Sequence, residues 1–248
     1  MTGTDTGVGK TVVSAALVRR LVQAGCSVGV MKPVETGVRA GAQDAGDAGR
    51  LMAAAGVEDT LDLVSPYRFH APLAPFAAAC EEERSIDRER ILRRYERLTS
   101  RYACVVVEGA GGLLVPMGSD WSMRDLIGRL QLPVVLVGRA GLGGINHALL
   151  TLESLERAGI GTLALVLNET RPASTSYEQE QVASTVALLR ERAGVPVLGP
   201  LPYQAGLDHG WCAAIETLAR SRPIKDLADR LLREIVGNSE SPLLGQEP

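Results

Sequence analysis

Short, mostly apolar runs alternate with longer segments of helical periodicity along most of the chain. Val28 to Val34, Ala103 to Val107, Pro133 to Val137, Thr162 to Leu167 and Pro196 to Leu201 show no in–out alternation. That is the pattern of strands buried on both faces. Lys10 to about Ala24 places Val12, Val13, Ala16, Leu17, Leu21 and Val22 on one helical face, and Gly25 supplies a stop. Ile86 to Arg101 lines Ile91, Leu92, Tyr95 and Leu98 along one side of a charged helix. Met123 to Leu130, Ile145 to Ala158, Tyr177 to Arg192 and Ile224 to Val236 predict further helices, and a helix reaches about Ala55. Three prolines make Ser65 to Ala79 a loop crossing into a short helix. Strands and helices in this rhythm predict one α/β domain over residues 1–236, a doubly wound, mostly parallel sheet with helices on both faces. Gly237 to Pro248, rich in Ser, Pro and Gly, reads as a disordered tail.

Composition narrows the partners. At 248 residues and 46% hydrophobic the chain can bury a large core, and only 4% aromatics means Val, Leu, Ile and Ala build it. A net charge of −3 with basic residues only in short pairs gives no reason to expect nucleic acid or a membrane surface. Four scattered cysteines and three scattered histidines match neither a disulfide framework nor a zinc site. With no signal peptide and no membrane-length apolar run, the expected compartment is the cytoplasm.

In parallel sheets ligands sit at the carboxyl ends of strands, so strand-ending residues carry the candidate chemistry. First comes Gly3-Thr4-Asp5-Thr6-Gly7-Val8-Gly9-Lys10-Thr11, directly before the first helix. Its glycines let backbone amides approach a polyphosphate, Lys10 adds a cation and the Thr11 hydroxyl can hold Mg²⁺. Its first glycine lies one residue earlier than usual. A loop of this kind normally follows a buried strand, and only Met1 and Thr2 precede Gly3. The reading favours a strand lost from the start of the chain, because a sheet without it would leave backbone groups and apolar side chains unpaired.

Lys32 ends the second strand, either as a second cation in the phosphate crevice or as a lysine reaching solvent. Glu108 follows three valines and precedes Gly109-Ala110-Gly111-Gly112, a place for a Mg²⁺-binding carboxylate or for an exposed strand-end acid. Asp44 and Asp47 are each either a metal ligand or a helix N-cap. Asn168 can read a base edge or begin a turn. Gly141 to Asn146 offers free amides to an anion, or is a tight turn.

Taken together these residues resemble the dethiobiotin synthetase family, of the P-loop NTPase superfamily, from Gly3 to about Tyr203. The resemblance rests on the Gly3 to Thr11 loop with its shifted glycine, Lys32-Pro33-Val34-Glu35-Thr36-Gly37, and Val107 to Gly112. It continues through Leu142 to Thr151, Asn168 and Leu198-Gly199-Pro200-Leu201-Pro202. It implies a homodimeric, cytoplasmic ligase using Mg²⁺ and ATP. The substrates would be CO₂ and 7,8-diaminononanoate, joined through a carbamate and a carbamic–phosphoric anhydride to give dethiobiotin, ADP and phosphate. By the same resemblance Lys10 and Lys32 are catalytic, and Thr11, Asp47 and Glu108 hold the metal. Thr6, Gly7, Val8, Gly9, Lys10, Thr11, Glu108, Gly109, Ala110, Gly111 and Gly112 bind nucleotide phosphates and Mg²⁺. Asn168, Pro200, Leu201 and Pro202 bind adenine. Thr36, Gly144, Ile145 and Asn146 bind substrate, the last three across the dimer interface. Two positions depart from the family: Gly7 stands where some relatives carry a glutamate, and Phe76 where a histidine is common.

Two other readings share the fold. The ATP-binding half of a corrin amide synthase would continue into a glutaminase domain, for which this chain has no room. A Min/Par-type ATPase switch would carry an extra lysine early in the loop, where Thr4 and Asp5 stand, and often a membrane-binding tail.

Overall fold

The computed structural model describes residues 1–38 and 46–239. In chain order, β1 (Thr2–Gly3) leads through the glycine loop into α1 (Lys10–Gln23), followed by β2 (Val28–Met31) and β3 (Val34–Glu35). Next come α2 (Asp47–Ala55), α3 (Leu61–Val64), β4 (Tyr67–Arg68), α4 (Pro75–Glu81) and α5 (Arg88–Thr99). The second half runs β5 (Cys104–Val107), α6 (Met123–Leu130), β6 (Val134–Arg139), α7 (Gly144–Arg157) and β7 (Thr162–Asn168). It closes with α8 (Ser176–Arg192), β8 (Val197–Leu201), α9 (Leu207–Ala219) and α10 (Arg222–Ser239).

All pairings among these strands are parallel. β1, β6, β7 and β8 are neighbours in that order, and β2 pairs with β5 from Val28 opposite Cys104 to Met31 opposite Val107. One residue joins the two groups. The Met1 ammonium donates to the Val107 carbonyl at 2.8 Å, and the Gly109 amide donates to the Met1 carbonyl at 2.9 Å. Met1 and β1 therefore form a seam between β5 and β6. Of the buried strand expected ahead of the loop, only these few residues are in the sheet.

Helices cover both faces because their apolar stripes match the strands. Val13, Leu17, Val18 and Leu21 of α1 pack with Val30, Val106, Val135 and Val166 of the sheet, and with Ile215, Leu218 and Leu227 of α9 and α10. On the opposite face Ile91, Leu98, Met123 and Leu126 cover the β2–β5 side, while Ala148, Leu152, Val186 and Leu189 cover β6 and β7. Capping fixes some of the boundaries: Ser122 with Asp125, and Thr175 with Glu178, each form a reciprocal box at a helix start.

The structure revises two expected boundaries and adds three elements. The run Val28 to Val34 is two strands broken at Lys32–Pro33, and β3 pairs with β4 in a small sheet of its own. Neither α3 nor β4 was expected; each is only a few residues long. α9 also went unread, because Gly210 interrupts its pattern and holds non-helical angles. The last helix continues through Ser239, three residues into the expected tail; residues 240–248 lie outside the described part. No helix among the described residues is long and apolar enough to cross a membrane.

The seam has a thermodynamic signature. Burial pushes the Met1 ammonium down from 8.0 to about 6, with Glu108 offsetting part of the shift. Between those values the unfolded chain binds more protons than the folded one, so stability rises with pH across that window. Urea unfolding should show a gain on the order of 2 kcal/mol from pH 6 to 8. Acetylating the amine should abolish that increment; an unchanged slope after acetylation would contradict a buried amine.

Candidate active site

The loop begins where β1 ends: the Thr4 amide donates to the Val137 carbonyl at 2.9 Å, which fixes its entry against β6. Gly7 (φ 73°) and Gly9 (φ 95°) turn it through the left-handed region, and Gly9 caps α1 so that the helix N-terminus faces the loop. Lys10 folds over the loop, its Nζ donating to the Asp5 carbonyl at 2.9 Å. Arg139, at the end of β6, pairs with the Asp5 carboxylate at 3.1 Å. From below, Asn168 Nδ2 donates to the Val8 carbonyl at 3.1 Å. The fit there is tight, since a Cβ on Gly9 would lie 2.2 Å from that nitrogen.

Four side chains converge beside the loop, from α1, α2 and the residues that follow β2 and β5. Lys32 Nζ lies 2.7 Å from Glu108 Oε1 and 2.8 Å from Asp47 Oδ2. The Thr11 hydroxyl donates to the same Glu108 oxygen at 2.8 Å. Lys32 and Glu108 are buried, at 4% and 0% exposure, so neither sits at solvent. Burial acts to lower the Lys32 pKa, but the Glu108 and Asp47 charges outweigh it and hold the pKa above the ordinary lysine value. Burial acts the other way on Asp47, yet Lys32 and the Thr11 hydrogen bond keep its pKa below the usual carboxylate range. Lys10 differs: burial, and then the neighbouring Lys32 charge, push it down to about 8. Two cations crowd one small space, and an anion placed between them would relieve their repulsion.

Asp47 reaches this cluster because Glu35 anchors the start of α2. The buried Glu35 carboxylate accepts the Asp47 backbone N–H, filling one of the donors a helix N-terminus leaves open. Glu35 lies within the Lys32 to Gly37 motif and had no role assigned; its partner lies 12 residues on, and no spacing rule links them.

Thr6, Gly7, Gly9, Lys10, Thr11, Lys32, Thr36, Asp47, Ala110 and Gly111 all line one cavity of about 530 Å³. Glu108 sits beneath it, and Gly112 packs near the backbone of Thr4 and Asp5. Tyr203, Gln204 and Leu207 form a wall immediately after Pro200–Pro202, with Trp211 and Arg50 beside them in cation–π contact at 4.8 Å. Leu207 and Trp211 were missed with α9, and Tyr203 and Gln204 lie in the turn before it; an aromatic among small residues was the only signal. Leu201 itself is in the core, and its carbonyl is taken by the Glu169 amide. Gly144, Ile145 and Asn146 begin α7 and do not line this cavity within the chain. Asp44 lies outside the described residues.

Sequence comparison decides the family. An ATP-dependent dethiobiotin synthetase of Thermodesulfovibrio yellowstonii is 40% identical over 217 residues, 84% of this chain and 89% of that one. The chain belongs to the dethiobiotin synthetase family. A second member, from Anaeromyxobacter dehalogenans strain 2CP-C, is 49% identical over 172 residues, 69% of this chain and 76% of its own. A family model described as an AAA domain matches residues 1–210. Among solved structures, the MinD cell division protein of Aquifex aeolicus superposes with a TM-score of 0.55 at 17% identity, covering 99% of this chain and 98% of that one. That likeness concerns the fold alone. Within the dethiobiotin synthetase family, the corrin and Min/Par readings lose their appeal.

The donor set also fits a hard cation. Among the described residues Glu108 Oε2 is buried without a hydrogen-bond partner, and Thr11 and Asp47 present oxygen nearby. Mg²⁺ asks for this kind of set, one or two carboxylates completed by phosphate and water. Since the loop depends on Gly9, Gly9→Ala should lose ~1–3 kcal/mol in urea unfolding from the left-handed backbone alone. ATP titration should show weakened binding as Asn168 is displaced. Adding Asn168→Ala should remove the clash but not the backbone cost; full recovery of stability would show that φ at Gly9 is unimportant.

Proposed function

We propose that the chain catalyses the ATP-dependent synthesis of dethiobiotin from 7,8-diaminononanoate and CO₂. The observation that carries the reading is the meeting of Lys10, Lys32, Thr11, Asp47 and Glu108 at one cavity. One amine adds to CO₂ and loses a proton, giving a carbamate. A carbamate oxygen attacks the γ-phosphorus, and ADP leaves. The second amine then attacks the carbonyl carbon of the mixed anhydride, expels phosphate, and closes the ureido ring with the new C–N bond.

Phosphoryl transfer asks the protein for position and charge more than for a nucleophile. Lys10 and the loop amides take the phosphates at the head of α1. Lys32, held charged by its two carboxylates, neutralises the carbamate and the charge developing on the transferred group. Thr6 and Thr36 border the same space and seat these groups. Thr11, Asp47 and Glu108 would hold Mg²⁺, which supplies charge neutralisation at the phosphate oxygens. Asn168 and the Pro200 to Pro202 turn belong to the adenine side, where Tyr203, Gln204 and Leu207 provide a wall. In this reading the helix start Gly144–Ile145–Asn146 takes the substrate carboxylate of a second copy, which accounts for its place away from the cavity of its own chain. The protein is then a homodimer.

Purified protein with Mg²⁺, ATP, the diamine and bicarbonate should release ADP and dethiobiotin together. ADP release indifferent to the diamine would end the proposal. Lys32→Ala should lower kcat by about 10²–10³-fold, since its charge partner develops during reaction, while nucleotide affinity stays within a few-fold. Comparable losses in both would make Lys32 a binding residue only. Asn146→Ala should raise the KM for the diamine and leave ATP binding alone, and light scattering should give the mass of two chains.

A further inference from the structure

Among the described residues three cations line the active-site cavity: Lys10, Lys32 and Arg50. Lys10 rests on the glycine loop, and Lys32 is held between its carboxylates. Arg50 lies on α2 three residues after Asp47, so the two side chains leave one face of the helix. Its guanidinium carbon is 4.8 Å from the centre of the Trp211 ring, which comes from α9. Arg50 therefore reaches from the element that carries Asp47 to the wall of Tyr203 and Leu207. Thr11 and Val12, at the start of α1, border the same cavity.

Charge gives a third cation a task there. Lys10 and Lys32 are matched by Asp47 and Glu108, so these four side chains cancel. Glu35, also on the lining, faces Arg68 at 3.6 Å. A nucleoside triphosphate is a strong polyanion, and one Mg²⁺ offsets only part of its charge. Stacking suits Arg50 to the remainder. A guanidinium that lays its face on an aromatic ring keeps its N–H fork in plane, the geometry that takes phosphate oxygens in pairs. The ring also restricts a long side chain before the ligand arrives, which lowers the entropy lost on binding.

We propose that Arg50, braced by Trp211, binds the α-phosphate of the nucleotide, where the phosphate chain leaves the loop for the nucleoside wall. This rests on the reading of the cavity as the ATP site. The α-phosphate does not react, so Arg50 grips ATP and ADP alike and holds the ground state and the transition state equally. Its role is thereby the opposite of that of Lys32.

Arg50→Met keeps the stem against Trp211 and removes the charge. Calorimetric titration with Mg²⁺ and ADP should show affinity lowered by about 10–100-fold, and the loss should shrink as salt is raised. In turnover the loss should fall on the KM for ATP, with kcat within a few-fold. Arg50→Lys, which keeps the charge without the fork, should recover only part of the affinity. Trp211→Leu should also weaken ADP binding, and adding Arg50→Met to it should cost less than Arg50→Met alone. ADP affinity unchanged by Arg50→Met would overturn the proposal. So would a loss equal at low and high salt, which is lost packing and not a lost ionic contact, or a loss carried mainly by kcat. Additive losses would overturn the bracing by Trp211. Wild-type protein that bound no ADP would overturn the ATP reading itself, and this proposal with it.

Discussion

A lysine ammonium held out of water between two carboxylates sets the terms for the rest of this structure. Desolvating Lys32 costs several kcal/mol, and the cost is met only while Glu108 and Asp47 remain close. Those partners come from the residue after β5 and from α2, while Thr11, which shares the Glu108 oxygen, comes from α1. The cluster thus ties together three elements that pack around the end of β2. Removing one member leaves another as an uncompensated buried charge, so the constellation is rigid before any ligand arrives. Glu35 extends the same logic outward by holding the start of α2, and with it Asp47.

The sequence made Lys32 and Glu108 legible because strand ends in a parallel sheet face one crevice, and each followed an unmistakable apolar run. Helices with strong periodicity were equally readable: α6 and the start of α1 fall where the pattern put them. What stayed hidden depends on approach through space. Asn168 could be named as a strand-end amide, but not as the brace under Val8, 160 residues away. Leu207 and Trp211 of the wall went unseen because glycine breaks the helix that carries them. β1 escaped for a different reason: two residues contain no period at all.

The seam at Met1 and the site share a border. Gly109 bonds Met1 through its amide, and its neighbour Glu108 carries the buried carboxylate. Order at the sheet's centre and order among the charges are therefore two consequences of one stretch of backbone. The path from β5 into its glycine turn has little freedom to serve one without the other.

The contact between Gly9 and Asn168 has a consequence for how such proteins change. A glycine-rich phosphate loop is commonly pictured as a portable cassette, complete in nine residues. Here its floor is an amide on β7 that leaves no room for even one added carbon. The two positions form a single unit of inheritance: a lineage or a designer altering one must accommodate the other. Grafted onto a sheet lacking that amide, the same nine residues would lose the support that shapes them.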